Sequence, residues 1–166
     1  MRILIASDHA GFDLKELLAA HARERGHEVV DLGPSNRDSV DYPDFAHELA
    51  QRLLADEGER GVLICGTGIG MAMAANRHPG VRAALCHDAF TAEMGRRHNH
   101  ANVLCMGGRT TGPGVAMQML DIFLVTEAEG GRHARRVEKI DVETGPTGRV
   151  SGTRTTTRRT SKERQR

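Results

Sequence analysis

The hydrophobic pattern of this chain changes period at short, regular intervals. Five brief apolar runs, at 2–6, 28–32, 62–65, 81–86 and 102–106, are rich in Ile, Val, Leu and Ala and read as buried strands. The stretches between them repeat at helical spacing. Phe12, Leu14, Leu17, Leu18 and Ala22 fall largely on one face of a helix over 11–25, and Gly26 ends it. Pro43 sits in the first turn of a second helix running to about 55, where its missing N–H costs nothing. Further helices are predicted over 69–77, 89–97, 113–125 and 132–140.

Strands that alternate with helices this closely predict an α/β fold, a Rossmann-like three-layer sandwich with a five-stranded parallel sheet and helices on both faces. In such sheets ligands bind beyond the carboxyl ends of the strands, so functional groups are to be sought there.

Composition narrows the class. A chain of 166 residues fits one domain with a full core. No apolar run approaches the roughly 18 residues that cross a membrane, and the first strand is too short to be a signal peptide's apolar region. Three cysteines without paired spacing argue against a disulfide framework and for a cytoplasmic location. The net charge of +1 hides an asymmetry: from Gly145 onward seven Lys or Arg face one acid, so that segment is +6 and residues 1–144 are −5. The domain is therefore placed at 1–142, followed by a basic, Thr/Arg-rich tail at 143–166 that is expected to be disordered. With no aromatic in the tail to stack on bases and an acidic body, nucleic-acid binding is not expected.

Chemistry concentrates between Gly61 and Arg77. The strand at 62–65 ends in Cys65, followed by Gly66-Thr67-Gly68-Ile69-Gly70 and an Ala- and Met-rich helix. Gly-rich backbone opening a helix gathers free N–H groups and the positive helix end into an anion site. A thiol directly beneath such a nest has the shape of a reactive centre. An unperturbed thiol is only about 3% thiolate at pH 7, and a helix dipole contributes well under one pKa unit. A thiol acting as a base here needs hydrogen bonds from loop N–H groups or Thr67. His9, at a strand end beside Asp8, and His98, beside Asn99 in a loop after the fourth helix, are the other candidates; His21, His27, His47 and His78 read as structural.

Rival readings fit less well. The glycines are spaced G-x-G-x-G after the third strand, rather than G-x-G-x-x-G after the first, although Asp88 lies near the offset of a ribose-binding acid. No Gly-Lys-Ser/Thr follows, so a P-loop fails. A zinc site from His98, His100 and Cys105 lacks compact ligand spacing.

Five motifs then converge. Asp8-His9-Ala10-Gly11-Phe12, Asp41-Tyr42-Pro43-Asp44-Phe45, the run from Cys65 to Gly70 with Ala74-Ala75-Asn76-Arg77, Arg97-His98-Asn99, and Glu129-Gly130-Gly131-Arg132-His133 appear in this order. Together they resemble the type B ribose-5-phosphate isomerases, part of a group that includes allose- and galactose-6-phosphate isomerases. The resemblance covers roughly residues 2–142 and not the basic tail.

The resemblance implies an aldose–ketose isomerase that interconverts ribose 5-phosphate and ribulose 5-phosphate through an enediolate, with no cofactor and no metal. It assigns the carbon base to Cys65, with Thr67 beside it, and ring opening to His98. Gly66, Gly68, Ile69 and Gly70 match the anion hole, and Asp8 and Asn99 match sugar-hydroxyl ligands. His9, Arg132 and Arg136 match the phosphate grip, the two arginines being four apart on one helix face. Arg109 is a further match, and in the family His98, Asn99 and Arg109 reach the site from a second subunit, which implies a homodimer or tetramer. A sister branch replaces the cysteine by a glutamate at the position of Met71; Cys65 with Met71 places this chain in the cysteine branch. His100, where many relatives carry an acid, bears on the pH optimum. A six-carbon sugar phosphate, allose or galactose 6-phosphate, is the alternative substrate; a non-catalytic protein that only binds sugar phosphates is the non-enzyme alternative, but it would not need Cys65 and His98 together.

Overall fold

The computed structural model describes residues 1–140. The expected tail at 143–166 lies outside the described residues. Five strands, β1 (Arg2–Ser7), β2 (Glu28–Asp31), β3 (Arg60–Cys65), β4 (Ala83–Leu85) and β5 (Val103–Gly107), form one parallel sheet in the order β2-β1-β3-β5-β4. Six helices connect and flank them: α1 (Phe12–Glu24), α2 (Tyr42–Leu54), α3 (Ile69–Ala75), α4 (Ala89–Asn99), α5 (Pro113–Val125) and α6 (Arg132–Val137).

Burial explains the unbroken apolar runs of the central strands. Ile3, Ile5, Val62, Ile64, Leu104 and Met106 face a core completed by α1, α4 and α5. Leu4, Ala6, Leu63, Cys65, Val103 and Cys105 face the opposite core, completed by α2 and α3. With both faces covered, alternation disappears from the strands, as it does in parallel sheets generally. The three-layer sandwich predicted from the sequence is the observed one.

Most boundaries shift by one to three residues, β3 starting at Arg60 and α6 ending at Val137, and two of the shifts bear on the site. β4 is three residues rather than six, because Arg82 N–H is taken by the Asn102 side chain (2.7 Å) and Val81 N–H by His78 O (3.0 Å), leaving neither for the ladder. α4 runs two residues further than predicted, so His98 and Asn99 occupy its last turn rather than a loop. His100, in the left-handed conformation at φ 50°, ends the helix, and the chain then enters β5.

The chain leaves β1 toward one edge of the sheet, for β2, and returns to build β3, β5 and β4 on the other side. The carboxyl ends of β1 and β3 therefore flank the switch point, where open parallel sheets bind ligands.

Candidate active site

Three loops meet at that edge, and their packing leaves no room for side chains at the contact points. Asp8 N–H donates to Ile64 O (3.0 Å), Gly108 N–H to Cys65 O (2.8 Å) and Arg109 N–H to Gly66 O (3.1 Å). A Cβ on Gly11 would stand 2.5 Å from Ile64 O, and one on Gly108 2.6 Å from Ala10 O. Real Cβ atoms do not approach so closely, so glycine is required at both. The loops after β1, β3 and β5 are thereby fixed against each other as one cradle.

Cys65 lies at the floor of this cradle as the last residue of β3, buried, with Gly68 N–H donating to its Sγ at 3.1 Å. Gly68 reaches that position through a left-handed turn at φ 79°. No side chain caps α3, and Thr67 Oγ1 accepts a long bond (3.4 Å) from Ile69 N–H. Thr67, Ile69 and the half-buried Gly66 and Gly70 thus line an open shelf of backbone above the thiol. The other two cysteines are free but sit in different settings. Burial pushes the Cys86 thiol up to about 11, and burial likewise holds the Cys105 thiol well above its ordinary value.

Beside the thiol, Asp8 Oδ1 accepts from Ala10 N–H (2.9 Å) and Gly11 N–H (3.0 Å), which pins the carboxylate at the turn. His9 Nδ1 accepts a long bond from Val40 N–H (3.4 Å), which puts the proton on Nε2 in the neutral ring. Arg109 also belongs to this group: a Cβ on Gly66 would lie 3.6 Å from Arg109 Nη1 of the same chain.

The remaining candidates form a second cluster, on α4 and α6. The His98 ring stacks on the His133 ring, centroids 4.1 Å apart and planes 12° from parallel. The Glu129 carboxylate faces both, 3.9 Å from His98 Nε2 and 3.6 Å from His133 Nε2. Arg97 grips Glu129 through Nε (2.7 Å) and Nη2 (2.5 Å), which holds its carboxyl below the usual carboxylate range. Arg132 Nε donates to His133 Nε2 (3.2 Å), and desolvation, with His98 and Arg132 nearby, pushes the His133 imidazole below its ordinary value. Arg132 and Arg136 are exposed on α6 and Asn99 on α4.

His98, Glu129 and His133 place three ligand atoms within 4.8 Å of one another. Near-parallel rings send their lone pairs side by side rather than toward a common point, and two guanidiniums already hold Glu129 and His133. That geometry suits proton handling better than cation binding. The zinc set weighed from the sequence fares worse, since Cys105 is fully buried inside β5. Asp88 is likewise committed: its carboxylate caps α4 by accepting Thr91 N–H at 2.7 Å.

The two clusters lie at opposite ends of the sheet. Cys65 is at the carboxyl end of β3, whereas the last turn of α4 adjoins the amino end of β5. The 11 residues of α4 separate the two levels by about 16 Å. One chain therefore brings together Cys65, the Gly66–Gly70 loop, Asp8, His9 and Arg109. It separately brings together His98, Asn99, Arg132 and Arg136. Glu129 and His133 appeared in the sequence only as parts of a motif; Glu129 lies in the loop before α6, so no helical spacing marked the pair.

Comparisons with known proteins agree with this architecture. The model of the Ribose/Galactose Isomerase family matches residues 3–140. Ribose-5-phosphate isomerase B of Escherichia coli is 42% identical over 139 residues, covering 84% of this chain and 93% of that protein. The structure of ribose-5-phosphate isomerase B from Clostridium thermocellum aligns with a TM-score of 0.83 at 47% identity, over 84% of this chain and 95% of the other. The Thermotoga maritima ribose 5-phosphate isomerase aligns with the same TM-score at 48% identity, over 84% and 97%.

Proposed function

The chain belongs to the Ribose/Galactose Isomerase family and is an isomerase, and we propose that it interconverts ribose 5-phosphate and ribulose 5-phosphate with Cys65 as the carbon base. The observation that carries this reading is the Gly68 N–H directed at Cys65 Sγ beneath an uncapped, glycine-lined helix start. That donor fixes the sulfur beneath the shelf, and the thiolate is the form able to take a proton from carbon.

In the proposed sequence, His98 moves protons between the anomeric hydroxyl and the ring oxygen and so opens the sugar. The Cys65 thiolate then removes the proton on C2. Charge builds on the C1 oxygen as the enediolate forms, and the backbone N–H groups of Gly66–Gly70 stabilise it; one such donor is typically worth about 2.7–4 kcal/mol. The hydroxyl proton passes between the two oxygens, and return of the carbon proton to C1 gives the ketose. Asp8 and Asn99 hold sugar hydroxyls, while His9, Arg109, Arg132 and Arg136 hold the phosphate.

The separation of the two clusters supports a site shared between two copies, with His98 of one copy serving Cys65 of the other. Met73 and Phe90, 65% and 68% exposed on α3 and α4, offer a second copy apolar surface to cover.

The direct test is ketose formation from ribose 5-phosphate by the wild type, by Cys65→Ala and in the presence of chelator. Activity that survives chelator and collapses in Cys65→Ala is expected. Full activity in Cys65→Ala would remove the thiol from the mechanism. The matching family spans ribose and galactose isomerases, which favours a second reading in which the same chemistry acts on a six-carbon sugar phosphate. Turnover of allose or galactose 6-phosphate but not of ribose 5-phosphate would select it.

A further inference from the structure

At the amino edge of the sheet, remote from Cys65, the segments entering β3, β4 and β5 border an open cavity of about 690 Å³. That volume lies within the range of small-molecule sites, roughly 300–1,000 Å³. Arg60, Arg82 and Arg96 line it, together with His100, Asn102 and Ala128.

The three guanidiniums are held from behind by backbone oxygens. Arg60 donates to Glu59 O (2.7 Å), Arg82 to His100 O (3.0 Å) and Gly80 O (3.3 Å), and Arg96 to Ala101 O (2.5 Å) and Thr126 O (3.2 Å). These bonds fix the forks but neutralise nothing. Among the described residues, none of the three has a carboxylate within 4.0 Å. Two acids, Asp56 and Glu59, also line the cavity. The Glu59 carboxylate accepts from Arg2 N–H (3.0 Å) instead.

Arg96 is buried and Arg60 and Arg82 are half-buried, and like charges drawn together with reduced access to water are costly unless an opposite charge joins them. The cost is visible here. Arg96 is buried, and its guanidinium is pushed down to about 10 by desolvation and by Arg60 and Arg82, against the opposing pull of Glu127. Among the described residues, Arg60 Nε is buried without a hydrogen-bond partner. A cavity of this size lined by three guanidinium forks without carboxylate partners is complementary to an oxyanion.

We infer that this cavity is a second anion site, which takes the phosphate group of a small molecule on Arg60, Arg82 and Arg96, independently of the substrate site. Guanidinium forks match the tetrahedral oxygens of phosphate bidentately. The site also touches the segment bearing His98. His100, two residues on, lines the cavity and its Nε2 lies 2.8 Å from Glu129 O. An occupant is thus placed to steady the Glu129–His98 pair from behind.

Calorimetric titration tests the assignment, with inorganic phosphate and glycerol phosphate as probes. The protein used is the full chain carrying Arg132→Ala and Arg136→Ala, which removes both α6 arginines of the proposed phosphate grip but leaves His9 and Arg109, so the binding that belongs to this cavity is the part lost on Arg60→Gln or Arg82→Gln. Saturable binding is expected, and Arg60→Gln or Arg82→Gln should weaken it by about tenfold or more, in keeping with loss of a charged, bidentate partner. Preference for glycerol phosphate would mark a metabolite site, and equal binding a site for free phosphate. Absence of saturable binding, or binding indifferent to both glutamine variants, overturns the inference. Melting curves of each variant guard against misfolding, and Arg60→Gln, at the rim of the sheet, keeps the test available if Arg82→Gln does not fold. Binding is read directly, so the result stands whether or not Cys65 proves to be the base.

Discussion

At the scale of single residues, three cysteines in one sheet have three different chemistries. Cys105 lies inside β5 between packed layers and Cys86 just beyond β4, where burial raises its thiol to about 11. Cys65 ends its strand, faces a loop and receives a backbone N–H. At pH 8 a thiol with a pKa near 11 is roughly one part in a thousand thiolate, and the thiolate is the reactive form. Native protein treated with iodoacetamide at pH 8 should therefore label at one position, Cys65, and Cys65→Ala should abolish native labelling. Cys86 should join only in denaturant or as the pH approaches its raised value. Peptide mass mapping decides the matter, and comparable native labelling of Cys86 would contradict the assignment of Cys65 as the distinctive thiol.

At the scale of elements, the turn from β3 into α3 depends on glycine unequally along its length. Gly68 adopts φ 79°, and a Cβ there would stand 2.6 Å from Leu85 Cδ1 and 2.8 Å from Met106 C. A Cβ on Gly66 would be 3.6 Å from its nearest neighbour, the mobile end of Arg109. Gly68→Ala should accordingly cost about 1–3 kcal/mol through strain and overpacking, and should lose activity because its N–H leaves Cys65. Gly66→Ala should melt close to wild type. Paired thermal melts and rate measurements separate the two, and equal tolerance would mean the turn can relax around Gly68. The sequence announced this turn as important but not which glycine carries it, since that depends on Leu85 and Met106 arriving from other strands. The element types, their order and the two-sided sheet were legible because Ile, Leu and Val runs alternate with helical spacing. The strand order was not, and neither was the last turn of α4, whose Arg97-His98-Asn99 has no apolar periodicity to extend the helix. The stacking of His98 on His133 was equally hidden, because 34 positions of chain intervene and only the packing of α6 on α4 joins them.

At the scale of the whole molecule, the placement of Cys65 and His98 at opposite ends of one sheet turns the question of mechanism into one of assembly. If each site draws its thiol from one copy and its imidazole from another, Cys65→Ala and His98→Ala are each inactive alone yet complement each other. A mixed dimer then has one site that carries both lesions and one that carries neither. After random exchange of equal amounts, half the dimers are mixed and half of their sites intact, so about one quarter of wild-type kcat should return, with KM unchanged. Refolding the variants together, against each refolded alone, measures this. Recovery of that size requires a shared site, because no rearrangement within a single chain could supply both groups from two defective copies. No recovery, with exchange verified by mass, would mean that the imidazole serving Cys65 lies in the same chain. The nearest described candidate would then be His9, at the neighbouring strand end, and the ring-opening role would move to it.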